Sequence, residues 1–250
     1  MCLITFRFDP ESEFPLLMAA NRDEFYDRPA KTAHHWDDNP SIFAGRDLKA
    51  GGTWMGVNKS GRFAALTNFR DGNDKRTFNS SRGNLVTRFL EGVDTVAEFS
   101  RYLLKTRNDF AGYNIIFYEN NSIRYFSNKL PEVLILKPGI YGLSNATLDI
   151  PWEKVKKAKS AMGKYIKGNC GDDEILFSIL KDETKAEDQL LPETGVPFEW
   201  EKLLSSPFIR SEIYGTRLST IVKMNSSEYR ITELNYDSNT PTRIDNVIYF

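Results

Sequence analysis

MAANRDEF, Met18 to Phe25, sets four polar residues in a row, Asn21, Arg22, Asp23 and Glu24, directly after an apolar run. A turn needs only one or two residues of the Asn, Asp or Gly kind. An arginine held between three side-chain acceptors asks for another explanation, and the sequence before it supplies one. Residues 2–8, CLITFRF, alternate as a strand, and FPLLMAA (14–20) is a short apolar run of the buried-strand kind. Asp9-Pro10 and the acidic residues after it form the turn between them. In such a hairpin the start of the first strand comes to lie beside the residues that follow position 20. Cys2 is thereby brought to Arg22.

The same pattern of hairpins continues. TWMGVNKSGRFAALTNF (53–69) has two apolar runs around Asn58-Lys59-Ser60-Gly61, with Gly61 free to take the positive φ of a short loop. YNIIFYENNSIRYFSN (113–128) turns at Asn120-Asn121. LSTIVKMN (218–225), EYRITELNY (228–236) and NVIYF (246–250) read as late strands. Helices are expected over 94–106, with Asp94 as N-cap, and over 152–167, where Pro151 precedes the first turn. On the second, Val155, Met162, Tyr165 and Ile166 mark the inward face, and the lysines of 154–159 are expected in water. EILFSILKDE (174–183) completes the helices. Strands joined by hairpins, with helices between groups of strands, indicate an α+β chain with antiparallel sheets. No repeat or linker divides it, so a single domain over 1–250 is expected.

Composition narrows the function. A net charge of −1, with Lys and Arg dispersed, gives no nucleic-acid footprint. No apolar run reaches the roughly 18 residues of a membrane span. The alternating N-terminus lacks the form of a secretory signal. Two cysteines, Cys2 and Cys170, exclude a disulfide framework and point to a reducing compartment, with the cytoplasm the expected location. The two histidines, His34 and His35, are adjacent and so face opposite ways on a strand, a poor metal pair. AGGTW (50–54) lacks the lysine of a phosphate-binding loop.

Cys2 carries the chemistry. Initiator methionine is removed when the next side chain is small, and removal would leave a cysteine with a free α-amine. Such a residue supplies nucleophile and base together, with no histidine. The Arg22 guanidinium beside the thiol would favour thiolate, and Asp23 would accept from the α-ammonium. Asn68 and Asn145 each end a strand-like run and offer amide donors to a tetrahedral oxyanion.

MC, AANRDEF, GGTWMGVNKSGRFAALTN, YGLSNATLDIPW and YGTRLSTIV, in that order, resemble the NRDE family, also called the transport and Golgi organisation protein 2 family. The resemblance spans nearly the whole chain and implies the N-terminal-nucleophile hydrolase fold, a four-layer αββα sandwich. More distantly the layout is similar to choloylglycine hydrolases and penicillin V acylases. That similarity implies Cys2 as nucleophile, Arg22 beside it, Asp23 or Glu24 as the carboxylate, Asn68 and Asn145 as amide donors and Arg217 as a late arginine. Asn21, Glu24 and Trp54 are expected to contribute to binding. Two readings follow. One is a hydrolase of a linear amide or acyl bond in a small substrate, requiring no cofactor. The other is a non-catalytic carrier of a hydrophobic ligand such as haem or acyl-CoA in the same pocket, with Cys2, His34 and His35 as candidate axial ligands for haem. A scaffold role would leave the polar cluster unexplained.

Overall fold

A computed structural model describes residues 2–168, 172–237 and 240–250. Met1 and Cys170 lie outside the described residues. Thirteen strands are found among the described residues: β1 (Cys2–Phe8), β2 (Leu16–Phe25), β3 (Ala30–His35), β4 (Ile42–Asp47), β5 (Met55–Asn58), β6 (Phe63–Asn68), β7 (Tyr113–Glu119), β8 (Ser122–Ser127), β9 (Leu134–Ile135), β10 (Gly139–Leu143), β11 (Tyr214–Met224), β12 (Glu228–Asn235) and β13 (Thr242–Tyr249). The helices are α1 (Gly83–Glu91), α2 (Val96–Lys105), α3 (Glu153–Lys167), α4 (Glu174–Leu180) and α5 (Phe198–Leu203). The strands pair antiparallel in two sheets, one in the order β10-β1-β2-β11-β12-β13 and the other β3-β4-β5-β6-β7-β8-β9.

The period of two along each strand decides the layers. Ile4, Phe6, Phe8, Met18 and Ala20 of the first sheet meet Met55, Val57, Phe63, Ala65 and Ile116 of the second in a buried core between the sheets. The alternate residues face outward. Leu17, Ala19 and Ile221 pack under Met162 and Tyr165 of α3 and Leu176, Phe177 and Leu180 of α4. On the far side, Ala64, Leu66, Ile115 and Phe117 pack under Leu85, Val86, Phe89 and Leu90 of α1 and Phe99 and Leu103 of α2. The result is the four-layer αββα sandwich, with the hairpins at 2–25 and 53–69 in different sheets.

Local chemistry fits the turns that were expected. Gly61 has φ 78°, and Asn120 and Asn121 have φ 50° and 53°, the left-handed pair of a two-residue hairpin loop. Three details differ. The second strand, read over 14–20, continues to Phe25, because β1 pairs with β2 as far as Arg22 and β11 as far as Phe25. The cap of α2 is Thr95, which forms a capping box with Glu98, while Asp94 pairs with Arg88. Helix α1, which begins at Gly83, has no side-chain cap from Arg82 before it, which removes its usual start signal.

Phe89 is fully buried and packs against Phe99 at a tilt and against Phe117 edge to face, tying α1, α2 and the second sheet together. Phe89→Ala is expected to lower unfolding stability by about 3–5 kcal/mol in denaturant titrations. A loss below about 1 kcal/mol would contradict this packing.

Candidate active site

The antiparallel register sets Cys2 directly opposite Arg22. Directly opposed residues on an antiparallel pair have Cα atoms about 4.5–5.5 Å apart and side chains on the same face. Alternation puts Cys2 and Arg22 on the inner face with Ile4 and Ala20, at the end of the sheet where the apolar core stops. A cavity of about 130 Å³ opens there. Cys2, Arg22, Asp23, Glu24, Trp54 and Asn68 all line it, together with Arg28, Lys31, Arg82 and the start of α1 at Gly83. His34 and His35 do not. Their Nδ1 atoms sit 2.8 and 3.0 Å from the carbonyls of Thr32 and Pro40.

Cys2 is 7% exposed. Burial pushes its thiol above the ordinary value; Asp23 pushes the same way and Arg22 opposes them. Arg22 acts in the expected direction, lowering the thiol's pKa, but burial outweighs it and the thiol stays above its ordinary value. Arg22 is also 7% exposed and, among the described residues, makes no hydrogen bond or ion pair with another side chain.

The two carboxylates separate clearly. Asp23 is 1% exposed; its Oδ1 accepts from Thr216 Oγ1 at 2.7 Å, and it is the carboxylate that acts on Cys2. Burial raises its pKa, against the pull of Lys154, Thr216 and Arg22. Glu24 lies nearer solvent. It accepts from its neighbour's amide, Phe25 N–H, at 2.9 Å, and stands 3.8 Å from Arg28, which binds Asp47 at 2.6 Å. Asn68 ends β6 with its side-chain amide free of hydrogen bonds among the described residues, while its carbonyl accepts from Asn145 Nδ2 at 2.8 Å.

Three expected site residues lie elsewhere. Asn145 is fully buried and does not line the cavity: it braces Asn68, and its Oδ1 accepts from Ser144 Oγ, which also donates to the Cys2 carbonyl. Arg217 falls in the β-bulge where β11 slips between Thr216 and Leu218. It pairs with Asp237 and donates to the carbonyls of Phe25 and Arg28, so it pins the turn after β2. Asn21, expected to contribute to binding, does not line the cavity. Alternation turns it to the outer face, where Nδ2 donates to Leu180 O (2.7 Å) and Pro207 O (2.9 Å) and Oδ1 accepts from Ser219 Oγ (2.6 Å).

Lys154 was expected in water and is instead 1% exposed. It falls on the buried stripe of α3 with Ala158, Met162 and Tyr165, at helical spacings of four, eight and eleven, and that spacing was visible in the sequence. Burial pushes its ammonium down to about 8, with Asp23 the first charge to oppose the fall. Beside it the buried Arg70 pairs with Glu201. Arg82, whose Nη1 donates to Gly112 O at 3.0 Å, adds a cation to the cavity that no sequence motif marked.

A two-sheet sandwich with a cysteine at the head of its first strand defines the class. The fold matches a solved variant of conjugated bile acid hydrolase from Clostridium perfringens, with TM-score 0.51 and 10% identity over 99% of this chain and 96% of that one. This is the N-terminal-nucleophile hydrolase fold. Within it, the chain belongs to the Transport and Golgi organisation 2 family, whose model matches residues 1–238. It is 33% identical to the Transport and Golgi organization 2 homolog of Mus musculus over 91% of this chain and 90% of the relative. The Homo sapiens homolog is 34% identical over 90% and 89%. Among the described residues no helix is long and apolar enough to cross a membrane.

Two outcomes check this geometry. Asn21→Leu strips three buried hydrogen bonds and is expected to cost about 2–4 kcal/mol of stability while leaving the reactivity of Cys2 unchanged; a selective loss of reactivity would return Asn21 to the site. The second concerns pH. A lysine whose folded pKa lies below its unfolded value holds fewer protons when folded, so stability rises with pH between the two values. Wild type is expected to gain on Lys154→Met from about pH 8 towards 10.5, by up to roughly 3 kcal/mol at about 1.36 kcal/mol per pH unit. A flat difference across that window would contradict the burial of the charge.

Proposed function

We propose that the protein is a cysteine N-terminal-nucleophile hydrolase that cleaves a linear amide or acyl bond in a small anionic substrate. The single observation that carries this is the convergence of Cys2, Arg22, Asp23 and Asn68 on one cavity. Once Met1 is removed, the α-amine of Cys2 takes the thiol proton as sulfur attacks the acyl carbon. The tetrahedral oxyanion forms within reach of the Asn68 amide, a donor type whose removal slows such steps by about 10²–10³-fold. The α-ammonium returns the proton to the leaving amine as the C–N bond breaks. Water then attacks the thioester, and the acid leaves. Asp23 orients the amine through both steps, and Ser144 and Asn145 hold the backbone of Cys2 and Asn68 in place.

Charge supports the anionic substrate. Of the cations lining the cavity, Arg22, Lys31 and Arg82 face no carboxylate within ion-pair distance among the described residues, whereas Arg28 is matched by Asp47. The cavity is smaller than the roughly 300–1,000 Å³ of common ligand pockets, so it takes the reacting end of a molecule whose remainder lies outside. The same cations favour, as the second reading, a carrier for an acyl-CoA, held by its phosphates without reaction.

A thiol-directed acylating probe separates the two. Processed wild type is expected to acylate at Cys2, Cys2→Ala to lose the label, and Asn68→Ala to react about 10²-fold more slowly. One extra residue before Cys2 removes the free amine and is expected to suppress labelling. Equal labelling of the extended protein would overturn the hydrolase reading and favour the carrier.

A further inference from the structure

The geometry points to a dianion subsite in the wall of the cavity: Arg82 and the start of α1, together with Arg22, hold a phosphate-like group of the substrate a few bonds from the bond that Cys2 attacks. This deepens the hydrolase reading above and rests on it for the attack at Cys2. The helix supplies the first part. Ser81, Arg82 and Gly83 line the cavity, so α1 opens its N-terminal end onto it. That end carries roughly half a unit of positive charge, and α1 has neither a side-chain cap nor an acid in its first turn to match it. The glycines of AGGTW seat the helix there. A side chain at Gly52 would meet the Gly83 carbonyl carbon at 2.7 Å and Asn84 N at 3.0 Å, so backbone lies directly on backbone.

The arginines supply the second part. Arg22, 7% exposed, lines the same cavity and makes no hydrogen bond or ion pair among the described residues. A guanidinium buried so deeply is costly unless an anion meets it. Arg82 Nη1 donates to Gly112 O, the carbonyl that also accepts from Phe69 N–H at 2.8 Å, so its guanidinium lies next to the strand end that carries Asn68. The carboxylates of the cavity are engaged elsewhere: Asp47 binds Arg28, Glu24 stands 3.8 Å from Arg28, and Asp23 closes on Thr216. Five cations line the cavity against these three carboxylates.

Magnitude selects the ligand. Two guanidinium groups and a helix end exceed the single charge of a carboxylate, whereas a phosphate ester carries about −1.5 to −2 and accepts from forked donors. A cavity of about 130 Å³ must hold the dianion and the scissile bond together. The substrate class is therefore a small amide that bears a phosphate or sulfate group close to its acyl bond.

Calorimetry on the full chain carrying Cys2→Ala tests this at constant ionic strength, with phosphate, sulfate and acetate as probes. Phosphate and sulfate are expected to bind about tenfold or more tighter than acetate, and Arg82→Met and Arg22→Met each to weaken phosphate about tenfold. Ser81→Asp keeps the check open if an arginine variant folds poorly. Its carboxylate at the helix end is expected to raise Tm in phosphate-free buffer and to abolish phosphate binding. Acetate binding as tightly as phosphate, or Ser81→Asp binding phosphate like the parent, would overturn the subsite. In processed wild type, phosphate is expected to slow acylation of Cys2 competitively; phosphate that binds without slowing it would place the anion away from Cys2 and overturn the proposal. Phosphate binding as expected in a wild type that never acylates would refute the hydrolase reading alone.

Discussion

The antiparallel pairing of β1 with β2 is the constraint on which the rest depends. One register fixes Cys2 against Arg22, Leu3 against Asn21 and Ile4 against Ala20. A slip of one residue would exchange the faces, sending Arg22 out towards α3 and α4 and Asn21 into the core. The register is held from both directions. Ile4, Phe6, Met18 and Ala20 are fully buried against the second sheet, and Asn21 bonds across to the segments at Leu180 and Pro207 on the other face. The polar run that interrupts the apolar strand is thus divided by alternation: Arg22 and Glu24 to the cavity, Asn21 to the clamp. Asp23, where the strand nears its end, both closes on Thr216 and borders the cavity.

The site stands where the core gives out, and its electrostatics follow from that position. Deep burial raises the thiol of Cys2 and the carboxyl of Asp23 and lowers the ammonium of Lys154. Every one of these shifts opposes the charged form, so each charge persists only through its neighbours. On the proposed reading, a thiol whose pKa is raised is suited to a base on its own backbone, which needs no histidine and no separate residue to position. Asn68 lines the cavity from the opposing sheet, its carbonyl tied to Asn145.

Much of this was legible in the sequence because it depends on local order. Hairpin spacing is enough to bring Cys2 to Arg22, and an asparagine that ends an apolar run, as Asn68 does, is placed at a sheet end by the strand before it. What escaped depends on packing between distant elements. Lys154 read as a water-facing lysine because three more lysines follow it closely, although its spacing to Ala158 and Met162 placed it on the buried stripe. Arg82 and α1 carry no cap or motif, and only the packed fold brings them to Cys2. The strand read at 218–225 begins just after Arg217, and the bulge that holds Arg217 shows only once β2 and β11 are paired.

The central claim is that residue 2 acts through its own amine, and the mass of the intact protein recovered from its own host tests it most directly. The account predicts a chain that lacks Met1 and begins with an unmodified Cys2. A chain that retains Met1, or whose Cys2 α-amine is blocked, would contradict it, because the amine would then be held in an amide that cannot accept the thiol proton.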